Sequence, residues 1–92
     1  MPQYHVILTC SGLTDAEAAT APPYVVEEFD RRPWHRNVVC NWAQGLLRLE
    51  ADNDYDQDGK ALLDEFMDVV VACVNCSGDL SFEIVAVEHR TA

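Results

Sequence analysis

The chain is predicted to fold as an α+β domain of the ferredoxin-like βαββαβ type, a four-stranded antiparallel sheet carrying two helices on one face. Three observations carry that prediction. Four segments alternate apolar and polar residues with the period of a strand, two segments carry apolar residues at helical spacing, and turn-forming residues separate them in the order β-α-β-β-α-β. At 92 residues the chain suits one domain, residues 1–92, built on a single core.

Residues 4–10 read as the first strand, with Tyr4, Val6, Leu8 and Cys10 alternating with His5, Ile7 and Thr9 before Ser11-Gly12 ends it. Thr14-Asp15-Ala16-Glu17 is a capping-box sequence, a hydroxyl and a carboxylate three residues apart that satisfy each other's backbone N–H groups at a helix start. Pro22-Pro23 forces the helix to break or restart, since neither ring is tolerated in a helix interior. Val25, Val26 and Phe29 then carry it through residues 24–32, with Arg31-Arg32 complementing the dipole and Pro33 stopping it. Residues 37–42 place Val38, Cys40 and Trp42 on one face, and residues 46–50 place Leu47 and Leu49 against Arg48 and Glu50. The intervening Ala43-Gln44-Gly45 is a hairpin-length connection. An acidic loop over residues 52–58 leads into a helix striped by Leu62, Leu63, Phe66, Met67, Val70, Cys73 and Val74, which Ser77-Gly78-Asp79 ends. Residues 80–88 are the last strand, Leu80, Phe82, Ile84 and Ala86 alternating with Ser81, Glu83, Val85 and Val87.

Composition, 49% hydrophobic and 24% charged, argues against disorder. Six Lys and Arg against sixteen Asp and Glu give a formal charge of −10, which repels phosphate backbones and anionic lipid headgroups. General nucleic-acid binding is not expected. Neither is a membrane span, because the longest apolar stretch, residues 66–74, is interrupted by Asp68 and is far shorter than the ~20 residues a span needs. Met1-Pro2-Gln3-Tyr4-His5 lacks the positive region of a secretion signal, so a cytoplasmic location is expected. Cys10, Cys40, Cys73 and Cys76 are accordingly read as reduced thiols.

The most specific local pattern runs Asp54-Tyr55-Asp56-Gln57-Asp58-Gly59-Lys60-Ala61-Leu62-Leu63-Asp64-Glu65. It resembles the EF-hand calcium loop at every defined position. That resemblance implies a calcium site built from Asp54, Asp56, Asp58, the carbonyl of Lys60 and Glu65, with Gly59 at the sharp turn. The preceding segment alternates like a strand instead of forming an entering helix, and Ala61 occupies the usual place of a larger aliphatic residue. The competing reading makes the same carboxylates the acidic start of a helix, where they cap N–H groups. Apart from calcium, no cofactor is expected.

Cys73-Val74-Asn75-Cys76 has the C-x-x-C spacing of redox and metal sites, but it ends a helix where a reactive pair begins one. The cysteines are therefore read as core and cap residues. Arg31, Arg32, Trp34, His35 and Arg36 form a basic loop suited to an anion or an acidic partner segment, or to a helix C-terminus of complementary charge. His5 and His89 are expected to approach each other on antiparallel first and last strands, and no Ser or Cys occupies a nucleophile-elbow or P-loop context.

The sheet face away from the helices is expected to carry His5, Ile7, Thr9, Val39, Arg48, Val85, Val87 and His89. A half-aliphatic open face usually meets something. Three functions are compatible with these residues. A non-enzymatic interaction or regulatory module would pair through this face, with itself first of all as a homo-oligomer. A calcium-binding protein would use the acidic loop. A small enzyme would line a cleft with His5, Thr9, Arg48 and His89 for a small-molecule ligand that the sequence does not name. Crowding of Asp52, Asp54, Asp56 and Asp58 is expected to raise carboxyl pKa values by mutual repulsion.

Overall fold

The computed structural model describes residues 2–74 and 78–91. Its elements are β1 (Pro2–Ser11), α1 (Asp15–Ala18), α2 (Ala21–Asp30), β2 (Arg36–Ala43), β3 (Leu46–Asn53), α3 (Lys60–Cys73) and β4 (Ser81–Thr91). The fold is α+β, with one open four-stranded sheet ordered β2-β3-β1-β4 and every adjacent pair antiparallel. Two helices, α2 and α3, cover one sheet face, and their Val25, Phe29, Leu62, Phe66, Val69 and Val70 close a single core with Val6, Leu8, Cys10, Leu47 and Leu49. Among the described residues no helix is long and apolar enough to cross a membrane.

Local chemistry sets the element ends. Thr14 completes its capping box: its hydroxyl accepts from Glu17 N at 3.1 Å, and Glu17 Oε1 accepts from Thr14 N at 2.8 Å. The helix expected from residue 24 begins at Ala21 instead, with Pro22 and Pro23 inside its first turn. Their missing N–H groups would have had no helical partner there in any case. The β2–β3 hairpin closes through Gln44 and Gly45, with φ 53° and 77°, the paired positive values a type I′ turn demands.

The third and fourth strands depart from the sequence pattern in ways that reshape the open face. β3 continues to Asn53, so Asp52 belongs to a strand and not to the acidic loop. In β4, Ile7 pairs with Ala86 while Leu8 pairs with Ile84, leaving Val85 as an inserted bulge residue. A bulge shifts the two-residue alternation by one, which sends every later side chain to the opposite face. In α3, Met67 is more exposed than its place in the stripe implied, and Val69 is buried in its stead. Cys76 and the rest of Asn75 to Ser77 lie outside the described residues, so the C-x-x-C reading concerns only Cys73 here.

Candidate functional site

The strand registers lay out the open face as three rows across β2, β3, β1 and β4. One row holds Arg36, Asp52, His5 and Glu88; the next holds Val39, Glu50, Ile7 and Ala86; the third holds Asn41, Arg48, Thr9 and Glu83. The central row is apolar except for Glu50, and charge flanks it on both sides. Val39 is 48% exposed at one edge, whereas Ile7 is only 8% exposed although no helix covers it.

Of the residues expected on this face, His5, Ile7, Thr9, Val39 and Arg48 are there. Val87 and His89 are not. The bulge turns Val87 onto the core, and His89 stands beside Tyr4, ring centroids 4.9 Å apart, on the helix side. Val85 is exposed at the bulge itself. His5 and His89 consequently occupy opposite faces, and the cleft imagined from His5, Thr9, Arg48 and His89 does not assemble. The residues missed by the sequence reading are Glu50 and Asp52, both visible in the alternation of an extended third strand, together with Asn37.

These missed residues build an ordered network. His5 Nδ1 lies 2.6 Å from Asp52 Oδ1, and its Nε2 lies 2.8 Å from Glu50 Oε1. An ionised carboxylate only accepts, so both ring nitrogens donate and the imidazole is cationic. Asn37 Nδ2 donates to the other Asp52 oxygen at 2.8 Å, and Arg48 Nε donates to Glu50 Oε2 at 3.2 Å. Burial pulls the His5 pKa down, but the hydrogen bonds it donates to Asp52 and Glu50 outweigh it and leave it raised. His5 correspondingly holds the Glu50 carboxyl below its ordinary value. Burial works to raise Asp52, yet Asn37 and His5 together carry it below its ordinary value. The mutual repulsion expected of Asp52 is thus replaced by compensation.

The basic loop is largely engaged within the chain. The side chain of His35 is fully buried, with Nε2 donating to Glu65 Oε2, Asn53 Nδ2 3.4 Å from Nδ1, and Tyr55 Oη 3.4 Å from Nε2. Arg32 Nε lies 3.4 Å from Glu65 Oε1, and the guanidinium sits 5.4 Å from the Phe29 ring centroid. Arg31 lies 3.6 Å from Glu28, and Arg36 donates to Gln3 Oε1 across the open face. Trp34, 48% exposed, offers the loop's broad apolar surface to solvent. Burial, with the charges of Glu65 and Asp56, pushes the Tyr55 hydroxyl up to about 12. The loop is therefore a buckle joining β2, the end of β3 and α3.

The acidic segment is occupied in a similar way. Asn53 Oδ1 accepts from the N–H groups of Tyr55 at 3.2 Å and Asp56 at 2.8 Å. Asp56 is buried and accepts from Ala61 N at 3.1 Å and Leu62 N at 2.9 Å, while Asp58 accepts from Lys60 N at 3.1 Å. These bonds satisfy the open N–H groups of α3. Gly59, at φ 79°, approaches β1 and β4 so closely that a Cβ would lie 3.1 Å from Val87 and 3.2 Å from Val6 and Ile84. Glu65 turns away to His35 and Arg32, and Asp54 is exposed. Among the described residues no three His, Cys, Asp or Glu side chains gather as a metal site.

The described cysteines, Cys10, Cys40 and Cys73, are thiols; burial pushes Cys40 up to about 12 and raises Cys73, the opposite of an activated nucleophile. No protein-family model matches the chain, and neither curated proteins nor solved structures match it.

Proposed function

We propose that this protein is a non-enzymatic association module on a ferredoxin-like βαββαβ framework, and that it pairs through the open face of its sheet. The connections support that framework reading: α1 and α2 lead from β1 to β2, and α3 leads from β3 to β4.

The observation that carries the functional reading is the central row, Val39, Glu50, Ile7 and Ala86. Apolar except for Glu50 and exposed at Val39, it crosses a face that no helix covers and is flanked by side chains already fixed by hydrogen bonds. Preordered groups lose little further freedom when a partner arrives, which favours docking.

Sedimentation equilibrium tests the reading. The wild type is expected to associate at high micromolar concentration, and Val39→Lys to remain a folded monomer. Val71→Lys, at a position 67% exposed on α3, serves as the control and should associate normally. A wild type that stays monomeric, or a Val39→Lys variant that associates as well as the wild type, contradicts the proposal.

A further inference from the structure

We infer that the surface fitting the open face is a second copy of this chain, turned about a two-fold axis that runs along the strands between β3 and β1. The inference rests on the reading of that face as an association surface. Its basis is the row Arg36, Asp52, His5 and Glu88, which crosses the sheet in the order β2, β3, β1, β4. Its charges alternate: positive, negative, positive at the doubly bonded imidazolium, negative.

A rotation about an axis along the strands lays each row on itself in reverse. Reversal changes every sign in this row. Arg36 then faces Glu88 of the second copy, and Asp52 faces His5 of the second copy. In the apolar row, Val39 meets Ala86 and Glu50 meets Ile7, so Glu50, already bound by His5 and Arg48, meets no like charge. An axis in the same plane but across the strands fails this test. It would stack Glu50 on its own copy and Glu88 on Glu83, and opposed like charges suppress an association. Aligned sheets pack within about 30° of each other, an offset that long Arg and Glu side chains span. Arg36 and Glu88 are both exposed at the sheet edges; within the chain Arg36 donates to Gln3 Oε1 and Glu88 pairs with Arg90 at 2.9 Å, single exposed contacts that each would exchange for the facing charge of the second copy.

A charge swap tests the axis. By sedimentation equilibrium at pH 6, Arg36→Glu and Glu88→Arg should each weaken self-association by about tenfold. The double variant Arg36→Glu/Glu88→Arg should return it to near the wild-type value, because the same two positions meet twice in the dimer. Circular dichroism confirms that each exposed-site variant stays folded. If single reversals leave association unchanged, or the double variant fails to restore it, the axis is wrong. In that event a Val39→Lys variant that still dissociates the protein leaves the open face as the association surface, whereas one without effect removes both. A wild type that is monomeric at high micromolar concentration overturns the two-fold directly.

Discussion

His35 and His5 both touch carboxylates, yet they lie in opposite kinds of surroundings. The side chain of His35 has no solvent exposure and is enclosed by Glu65, Asn53, Tyr55 and the Phe29 ring, 5.6 Å away. His5 stands on the uncovered sheet face, where its side chain and those of Asp52 and Glu50 are partly buried but keep 14%, 16% and 25% of their exposure. Among the described residues no buried side-chain polar atom lacks a partner, so the His35 cluster is satisfied within the chain. Enclosed and satisfied, it serves stability. The His5 network fixes the same kinds of groups where a partner can reach them.

The largest expected effect comes from breaking the enclosed site. His35→Ala removes a buried ring and leaves Glu65 and Asn53 short of a partner, and should destabilise by about 3 kcal/mol in urea unfolding. His5→Ala at pH 6 should cost only about 1 kcal/mol, since solvent replaces its bonds. Equal losses would erase the distinction between the two histidines.

Next in size comes the cap of α3. Asp56→Ala should cost about 1–2 kcal/mol by leaving the Ala61 and Leu62 N–H groups open, whereas Asp54→Ala, at an exposed carboxylate, should stay within about 0.5 kcal/mol. Because Asp56 and Glu65 are engaged internally, millimolar calcium at constant ionic strength should move the thermal midpoint no more than monovalent salt does. A specific rise that Glu65→Gln abolishes would return the loop to metal binding.

The sequence disclosed much of this layout and hid a definable remainder. The alternation of Tyr4 to Cys10 and the stripe from Leu62 to Val70 are written in local periodicity, and so is the Thr14 capping box. The face of Val87 is not, because it depends on an inserted residue in the pairing of β1 with β4, which no local pattern encodes. Asp52 and Asn53 look like loop residues by polarity, yet β1 extends their strand by pairing with it as far as Asn53. The calcium-like spacing is likewise ambiguous on its own. Helix capping and metal binding both want short acidic side chains before a helix, and that Asp56 accepts from Ala61 N and Leu62 N is a tertiary detail that the spacing does not encode.

A smaller effect is the pH dependence. The folded pKa of His5 is raised above 6.5, so its stabilisation is fully present below about pH 6.5 and is lost as pH rises through that raised value. Glu50 and Asp52 are lowered from 4.5 and 3.8, so their stabilisation is present above those values and is lost as pH falls through the lowered ones. Stability should therefore be greatest between about pH 4.5 and 6.5 and decline toward pH 8, and His5→Ala should flatten the alkaline decline. Self-association should weaken over the same alkaline range, as His5 ceases to be a cation opposite Asp52 of the second copy. The other charged groups on that face are Glu83, Glu88 and Arg90 on β4, with Arg36 on β2 and Arg48 on β3. An alkaline decline that persists unchanged in His5→Ala would place its origin elsewhere.

Val39→Lys should alter stability least, by less than about 0.5 kcal/mol, because its side chain is already half exposed. Its effect should appear only in association. The most direct measurement of that central claim is a dilution series of 1H–15N spectra from high to low micromolar concentration. The predicted result is a concentration-dependent shift of the amides of Val39, Arg48, Glu50 and Ile7, with those of Tyr24 and Val71 on the outer surfaces of the helices unmoved. Spectra that do not change with concentration, or changes confined to α2 and α3, would contradict pairing through the open face.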